Sequence, residues 1–397
     1  MTVVEFYDTN SIENIVSTLL CAPQKVVFIG DNRDHLLKAI DKYGPIIRER
    51  DIETHLDHKV VNRAKLMSVV EAFAEIIAQD DECLFDLTGG DELYLVAAGM
   101  VFERYPEKVK LHRFNVNNGK LSDSDADGQT LTTEPAQISV EENVKIYGGR
   151  VIYDDEKPKT THKWDFNADF IEDIKKIWSV CRVNAGLWNL VFTTSVRAND
   201  LQITELKESL SLEESLLTSG GVYAIFKNLE NHRIIKDFKV CERTIEFEYK
   251  NLQVKQCLGM AGRILELFIT VLAMEIKEKS KAGVCDILTG VYIDWDGIVN
   301  SGDDGVGNEI DVMMMKGLKP IFISCKNGDV EAQELYKLET VAERFGGKYA
   351  KKVLAVSDVS KVNSKGVIKR AEEMGITVID VIKEENNNKL LSILSNL

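Results

Sequence analysis

The residues best suited to catalysis lie in a short stretch, 309–326, in the last quarter of the chain. It reads E-I-D-V-M-M-M-K-G-L-K-P-I-F-I-S-C-K. Two carboxylates, Glu309 and Asp311, are followed after a turn by the hydroxyl of Ser324 and the ammonium of Lys326. Carboxylates can hold a divalent metal, and a nearby lysine can position water or neutralise charge on a phosphate. The stretch therefore contains the groups needed to cleave a phosphodiester.

Two strands of a hairpin must position these groups. Side chains alternate between the two faces of a strand, so Glu309 and Asp311 are predicted to share a face with Met313. By the same rule, Ser324 and Lys326 share one face of the second strand. If the hairpin register aligns those faces, the carboxylates, the hydroxyl and the ammonium converge on one spot.

Two further carboxylates precede the hairpin. Glu266 lies inside the apolar run of a predicted helix over residues 259–279. A carboxylate buried there must be paired, protonated or metal-bound, because burying a lone charge is costly. Asp294 lies in a predicted strand over residues 291–298. Both are therefore candidates for the same site.

Each candidate has a plainer interpretation. Asp311 and Lys326 could form a structural ion pair across the hairpin, and Glu309 or Asp294 could be an ordinary solvated carboxylate. The basic segment 348–352 could contact a nucleic-acid backbone or simply be solvated. The sequence alone leaves these alternatives open.

The first third of the chain alternates between apolar strands and amphipathic helices. Strands are predicted over residues 3–7, 25–30 and 82–87, and helices from residue 12 and over 35–43, 64–79 and 93–105. Such alternation predicts an α/β fold with an open, mostly parallel, doubly wound sheet.

Two turns of this predicted sheet lie where ligands bind, outside the carboxyl ends of the strands. They are residues 8–11 and 88–92, and the second reads T-G-G-D-E. Its glycines would let backbone amides and a helix N-terminus face a phosphate. The turn matches neither a P-loop nor a G-x-G-x-x-G fingerprint. A plain strand-to-helix turn that requires glycine is the alternative.

The remainder divides into a connecting module and a second α/β domain. The segment 119–135 is polar and is predicted to be a loop. The module is predicted to contain helices over 170–180 and 204–217 and strands over 222–226 and 244–249, which suggests a winged-helix-like unit. After the hairpin, with its preceding loop over 301–307, we predict helices over 328–346 and 364–374 and strands over 352–357 and 377–381.

Composition limits the classes of function. The 397 residues are 44% hydrophobic and 28% charged, which is ordinary for a globular protein. The seven cysteines are scattered without a C-x-x-C motif, so we expect a reducing, cytoplasmic location. No apolar run approaches the length needed to span a bilayer, so we expect no membrane partner. A net charge of −15 weighs against coating nucleic acid by bulk electrostatics. It does not exclude local contact through a metal ion and a few lysines.

The order of these motifs resembles a known nuclease fold. A helix with Glu266, a strand with E-I-D and a strand ending I-S-C-K resemble the PD-(D/E)xK nucleases, with Ser324 where the common pattern has an acidic residue. The following Q-E-L-Y-K-L-E-T-V-A-E-R-F-G-G and the N-terminal F-D-L-T-G-G-D-E-L match as well. Together they resemble CRISPR ancillary nucleases, which join a CARF (CRISPR-associated Rossmann fold) sensor domain to such a nuclease domain.

The resemblance implies three domains: a CARF domain over 1–150, the connecting module over 151–250 and a restriction-endonuclease-like α/β domain over 251–397. It implies an enzyme of type III CRISPR antiviral defence that a cyclic oligoadenylate, cyclic tetra-adenylate, activates. The implied reaction is Mn²⁺- or Mg²⁺-dependent cleavage of DNA, RNA or both, with single-stranded substrates expected.

The resemblance also assigns residues by position. The activator site would be lined by Asn10, Ser11, Thr88, Gly89, Gly90 and Glu92. The nuclease site would contain Glu266, Glu309, Asp311 and Lys326, with Ser324 close by. The metal would be held by Asp294, Glu309 and Asp311.

A cyclic tetranucleotide can have two-fold symmetry, and two chains related by a two-fold axis would enclose it with identical loops. We therefore expect a homodimer in which activator binding shifts the nuclease domains toward cleavage. Two alternatives remain open. One is a nucleotide-sensing regulator that binds nucleic acid without cutting it, and the other is a nuclease that cuts without any activator.

Overall fold

The computed structural model describes most of the chain. The described residues are 1–116, 118–124, 129, 135–153, 160–195, 204–242, 244–279, 283–297, 307–362, 365–386 and 388–397. The predicted loop over 301–307 lies outside them except for Gly307.

The N-terminal part forms a sheet with the strand order β3–β2–β1–β4–β5–β6. Its strands are β1 (Thr2–Phe6), β2 (Lys25–Gly30), β3 (His55–Val60), β4 (Cys83–Asp86), β5 (Val109–Asn115) and β6 (Lys120–Asp123). Its helices are α1 (Val16–Cys21), α2 (Arg33–Glu49), α3 (Leu66–Gln79) and α4 (Glu92–Arg104). The pairs among β1–β5 are parallel, whereas β6 is antiparallel to β5. The predicted α/β class is confirmed, and the order 3-2-1-4-5 is that of Rossmann-like sheets.

The prediction of a loop over 119–135 is wrong at its start. β6 occupies part of it, because Leu121 is buried and lies opposite Phe114 of β5. Two elements then follow before the connecting module, α5 (Val140–Ile146) and β7 (Arg150–Val151).

The connecting module contains helices and a small antiparallel sheet of order β8–β10–β9. Its helices are α6 (Ala168–Cys181), α7 (Ala185–Ser195), α8 (Glu214–Leu217), α9 (Gly220–Asn231) and α10 (Leu252–Leu258). Its strands are β8 (Lys207–Ser211), β9 (Ile235–Val240) and β10 (Thr244–Tyr249).

Two predictions for this module are wrong. The helix predicted over 204–217 is β8 followed by the short α8, because Leu210 pairs with Ile245 in the sheet. The strand predicted over 222–226 lies within α9. The buried residues of α9 repeat at helical spacing, and they are Val222, Ile225, Phe226 and Leu229.

The C-terminal part is a mixed sheet with the order β15–β14–β13–β12–β11–β7. Its strands are β11 (Val284–Asp294), β12 (Gly307–Lys316), β13 (Lys319–Lys326), β14 (Lys351–Val356) and β15 (Ile376–Asp380). Its helices are α11 (Arg263–Lys279), α12 (Ala332–Gly346), α13 (Lys365–Glu373), α14 (Val381–Asn386) and α15 (Leu390–Ser395). β11–β13 are antiparallel neighbours, and β13–β15 are parallel.

The N-terminal and C-terminal sheets share an apolar core. Ile12 and Tyr43 from the first part belong to the same buried cluster as Met313, Phe322 and Phe345 from the last. β7 adds to the C-terminal sheet by pairing with β11. The predicted boundary at residue 150 falls within β7.

A bend separates α10, the last helix of the connecting module, from α11, the first helix of the C-terminal part. The predicted helix over 259–279 begins only at Arg263, and α10 and α11 meet at an angle of 115°. Within the described ranges, no single helix is long and apolar enough to cross a bilayer, although this bent pair passes by length and composition together.

Candidate functional site

The hairpin β12–β13 brings its predicted polar groups together. Met313 lies opposite Phe322 and Val312 opposite Ile323, so the same register places Asp311 opposite Ser324. A small cavity of about 60 Å³ opens beside this pair. Its lining includes Glu309, Asp311, Ser324 and Lys326 from the hairpin, and Glu334 and Lys337 from α12.

The strict alternation of side chains breaks inside the hairpin. Ile310 and Met313 contact the same core, although they are an odd number of residues apart. Glu309 and Met313 therefore do not share a face, and the prediction that they do is wrong. At the same level of the sheet, Gly290 of the neighbouring strand has a φ of +58°.

Asp311 is held firmly by hydrogen bonds. Its Oδ2 accepts from the backbone N of Cys325 at 2.6 Å and from the hydroxyl of Ser324 at 3.3 Å. Burial raises its pKa above the ordinary value, and the charge of Glu309 adds to the rise, while Lys326 and the hydrogen bonds oppose it. Ser324 thus supports Asp311 but contributes no charge of its own.

Glu266 faces the hairpin from the first turn of α11. Burial, followed by the charge of Asp311, raises its pKa from 4.5 to about 8. The charge of Glu309 contributes to this rise, and the charges of Arg263 and Lys326 oppose it without cancelling it. Glu309 is exposed, as a solvated carboxylate would be, yet its charge acts on the half-buried carboxyl groups of Glu266 and Asp311. Burial and the neighbouring carboxylates therefore favour the protonated form of Glu266.

Lys326 pairs with a residue that the sequence did not single out. Its Nζ lies 2.8 Å from Oε2 of Glu334, whose Oε1 is 2.9 Å from Nζ of Lys337. Burial lowers the pKa of Lys326, but the charges of Asp311 and Glu334 more than offset this and raise it. No salt bridge joins Lys326 to Asp311 in the part of the chain that the structure describes. The alternative of a structural ion pair between Asp311 and Lys326 is therefore not what the structure shows; Lys326 pairs with Glu334 instead.

Asp294 lies apart from this group. Its Oδ2 is 4.0 Å from the guanidinium of Arg150, and its Oδ1 accepts from the backbone N of Asp296 at 3.4 Å. Asp294 does not line the cavity beside the hairpin. Its role as a metal ligand stays a prediction.

The carboxylates of the cluster are suitable ligands for a divalent cation, but their side chains are not arranged around a common metal position. Among the described residues, no three histidine, cysteine, aspartate or glutamate side chains are grouped closely enough to hold a metal ion as they stand. However, burial raises the pKa values of Glu266 and Asp311, and the charge of Glu309 adds to both rises. Carboxylate oxygens are the ligands that Mg²⁺ and Mn²⁺ prefer, and a cation would relieve this repulsion.

The two predicted ligand turns of the N-terminal sheet are joined by Asp8. Its Oδ1 accepts from the backbone N of Asn10 at 2.8 Å, and its Oδ2 accepts from the backbone N of Gly90 at 3.1 Å. Asn14 fixes Asp8 in turn, since its side-chain amide bonds both the N and the O of that residue. The turns 8–11 and 88–92 therefore form one surface.

Gly90 and Thr88 shape the second turn. Gly90 has a φ of +93°, and a Cβ there would lie 2.4 Å from Cβ of Phe6, so only glycine fits. The backbone N and hydroxyl of Thr88 donate to Asp86, and its Oγ accepts from the backbone N of Phe114 at 2.8 Å. Gly89 lies close to Asp8.

The remaining predicted residues of this surface differ in burial. Asn10 is 9% exposed; its Oδ1 accepts from the Tyr147 hydroxyl at 2.9 Å, and its buried Nδ2 has no partner among the described residues. Ser11 accepts from Lys42 at 3.1 Å, and burial lowers the pKa of Lys42 to about 8. Glu92 is exposed in the first turn of α4. An unpartnered amide donor thus lies buried beneath this surface, and the amine of Lys42 lies beside Ser11.

A direct contact joins this surface to the C-terminal part. Glu13, which is buried, accepts from the ammonium of Lys348 at 3.0 Å and from the hydroxyl of Tyr349. Lys352 is bound by Glu339 at 2.6 Å. Lys348 nevertheless stays 58% exposed, as the solvated alternative expects, whereas Lys352 is largely covered. Contact of the segment 348–352 with a nucleic-acid backbone stays a prediction.

Comparison with known proteins supports the fold over the whole chain. The crystal structure of protein VC1899 from Vibrio cholerae aligns with 100% of this chain and 97% of that one, at a TM-score of 0.78 and 18% identity. Can2 from Sulfobacillus thermosulfidooxidans in complex with cyclic tetra-adenylate aligns over 100% and 99%, at 0.67 and 15% identity. No protein-family model and no curated protein matches the sequence. The shared feature at these identities is the fold.

Proposed function

We propose that the chain is a metal-dependent endonuclease that a cyclic oligoadenylate activates. The observation that carries this proposal is the convergence of Glu309, Asp311 and Lys326 on one cavity, with Glu266 of α11 close enough for the charges of Asp311 and Glu309 to raise its pKa. Placing Glu266 and Asp311 close together away from solvent is costly, because each carboxylate loses hydration and the two charges repel. The full-length fold shared with Can2 adds weight to a role in type III CRISPR defence.

Each side chain of the cluster has a distinct part in the proposed reaction. Glu309 and Asp311 would hold Mn²⁺ or Mg²⁺, with Asp294 as a further predicted ligand. The bound ion supplies electrophilic stabilisation of the phosphate. Lys326, which is ionised, places positive charge where the attacked phosphate gains negative charge. Ser324 keeps the Asp311 carboxylate oriented.

The proposed sensor is the surface formed by turns 8–11 and 88–92. Cyclic tetra-adenylate carries phosphates and adenine edges, which suit the amide donor of Asn10 and the glycine backbone at Gly89 and Gly90. Can2 was solved with this molecule bound. Because the ring can have two-fold symmetry, we further propose that two copies of the chain enclose it as a homodimer.

A cleavage panel tests this proposal. The purified protein is incubated with Mn²⁺ or Mg²⁺ and labelled single- and double-stranded DNA and RNA, with and without cyclic tetra-adenylate. Cleavage that requires both metal and activator supports the proposal. Absence of cleavage under all conditions contradicts the nuclease, whereas cleavage without activator contradicts the sensor.

One observation favours a second candidate, a regulator that binds nucleic acid without cutting it. Position 324 has serine instead of an acidic residue, and the described residues contain no ready group of three metal ligands. The same panel, read by gel shift, separates the two. A regulator would shift nucleic acid in response to activator and leave it intact.

A further inference from the structure

The cavity beside the hairpin lacks an acidic side chain at position 324. The hydroxyl of Ser324 donates to Asp311, but it cannot supply negative charge or a carboxylate oxygen to a cation. Asp311 has one carboxylate oxygen already engaged by Cys325 and Ser324. The hairpin alone is therefore short of one carboxylate for a hard divalent ion.

A carboxylate from outside the hairpin reaches the same cavity. Glu334 lies in the first turn of α12, and it lines the cavity together with Asp311 and Ser324. A short connection joins the end of β13 to the start of α12, so the chain itself holds Glu334 near Lys326. Oε2 of Glu334 is 2.8 Å from Nζ of Lys326.

The contact between these residues differs from an ordinary surface ion pair. The side chains of Lys326 and Glu334 are 27% and 25% exposed, so both are largely removed from solvent. Lys337 provides a second ammonium to Glu334 from the exposed side. Two lysines thus hold a carboxylate at the cavity, where a divalent cation would compete with them.

We propose that Glu334 supplies the carboxylate that position 324 lacks, as a ligand for Mn²⁺ or Mg²⁺. This inference rests on the proposed function. It places the missing carboxylate on helix α12 and not at position 324 of strand β13. When a cation occupies the cavity, Glu334 exchanges at least one lysine contact for it, and Lys326 becomes available to the phosphate.

The test moves the carboxylate from position 334 to position 324. Mn²⁺ binding to the full-length protein is measured by calorimetry for the wild type, Glu334→Gln and the double variant Ser324→Glu/Glu334→Gln. The single substitution should weaken Mn²⁺ binding by about tenfold or more, and the double variant should recover most of the loss. Glu343→Gln is the matched control, because Glu343 is an exposed residue of the same helix.

Several results would overturn the inference. If Glu334→Gln binds Mn²⁺ like the wild type while the wild type cleaves nucleic acid, the inference fails and the proposed function stands. The inference also fails, and the proposed function again stands, if Glu334→Gln cleaves faster with unchanged Mn²⁺ affinity, since Glu334 would then only restrain Lys326. If the wild type neither binds Mn²⁺ nor cleaves, both fail.

A second measurement does not depend on the variants folding. Wild-type crystals grown with Mn²⁺ should show an anomalous scattering peak within about 2.0–2.6 Å of a Glu334 carboxylate oxygen. A peak bonded to Glu309 and Asp311 without Glu334 would contradict the inference.

Discussion

Replacing Glu266 with glutamine should stabilise the metal-free protein, and the gain should grow as the pH rises. In the folded chain the pKa of Glu266 is raised by burial and by Asp311 to about 8, from an ordinary value of 4.5. Between these two values the unfolded chain loses this proton while the folded chain keeps it. The stability of the folded state therefore falls as the pH rises toward 8 and is not lowered further by this group above that pH.

The size of the effect follows from the two pKa values. About 3.5 pH units separate them, and each unit corresponds to about 1.4 kcal/mol, so the limit is about 5 kcal/mol. Glutamine cannot ionise, and it also removes the repulsion that Glu266 shares with Asp311. The advantage of Glu266→Gln over the wild type should therefore increase by a few kcal/mol between pH 5 and pH 8.

Urea unfolding at pH 5, 6, 7 and 8 measures this difference, with Glu343→Gln as the control whose effect should not change with pH. Adding Mn²⁺ at pH 8 should stabilise the wild type more than Glu266→Gln, because a cation replaces the proton of the carboxylate. An advantage of Glu266→Gln that is the same at pH 5 and pH 8 would refute the assignment of a buried, repelled carboxylate at this position.

Three other substitutions test separate parts of the molecule. Lys326→Ala should abolish cleavage but leave the affinity for cyclic tetra-adenylate unchanged in calorimetry; lost affinity would argue for general misfolding. Gly90→Ala should lower the free energy of unfolding by about 2 kcal/mol or more, because its φ is +93° and the new Cβ would strike Phe6. Gly99→Ala, where an added Cβ meets nothing within 4 Å, should not destabilise, and equal melting temperatures for the two variants would count against this reasoning. Glu13→Gln weakens the contact with Lys348 and should reduce the ratio of cleavage with activator to cleavage without it; an unchanged ratio would show that this contact carries no signal.

Local patterns in the sequence predicted the elements that carry the candidate sites. The alternating hairpin, the apolar strand before T-G-G-D-E and the helix containing Glu266 all lie close to where they were expected. These features are set by neighbouring residues. The connecting module was harder to predict, because its short apolar runs fit both the helical and the strand periodicity. Tertiary packing decides between the two, as at Leu210 and Val222.

Contacts between distant parts of the chain could not be predicted in this way. Glu13 meets Lys348 across 335 positions, and the bridge made by Asp8 to Gly90 spans 82. Nothing local marks Asp8 or Glu13 as special, since acidic residues in turns are common. Glu334 had one usable signal, its place in the first turn of the helix that follows I-S-C-K.

The most direct measurement compares two titrations with cyclic tetra-adenylate at fixed Mn²⁺. One follows cleavage of labelled nucleic acid by the wild type, and the other follows activator binding to Lys326→Ala. If the hairpin cluster cleaves only when cyclic tetra-adenylate occupies the surface formed by turns 8–11 and 88–92, cleavage should rise from near zero as activator is added. The midpoint of that rise should equal the dissociation constant of the activator. Cleavage by the wild type that does not depend on the activator, or that persists in Lys326→Ala, would contradict the account.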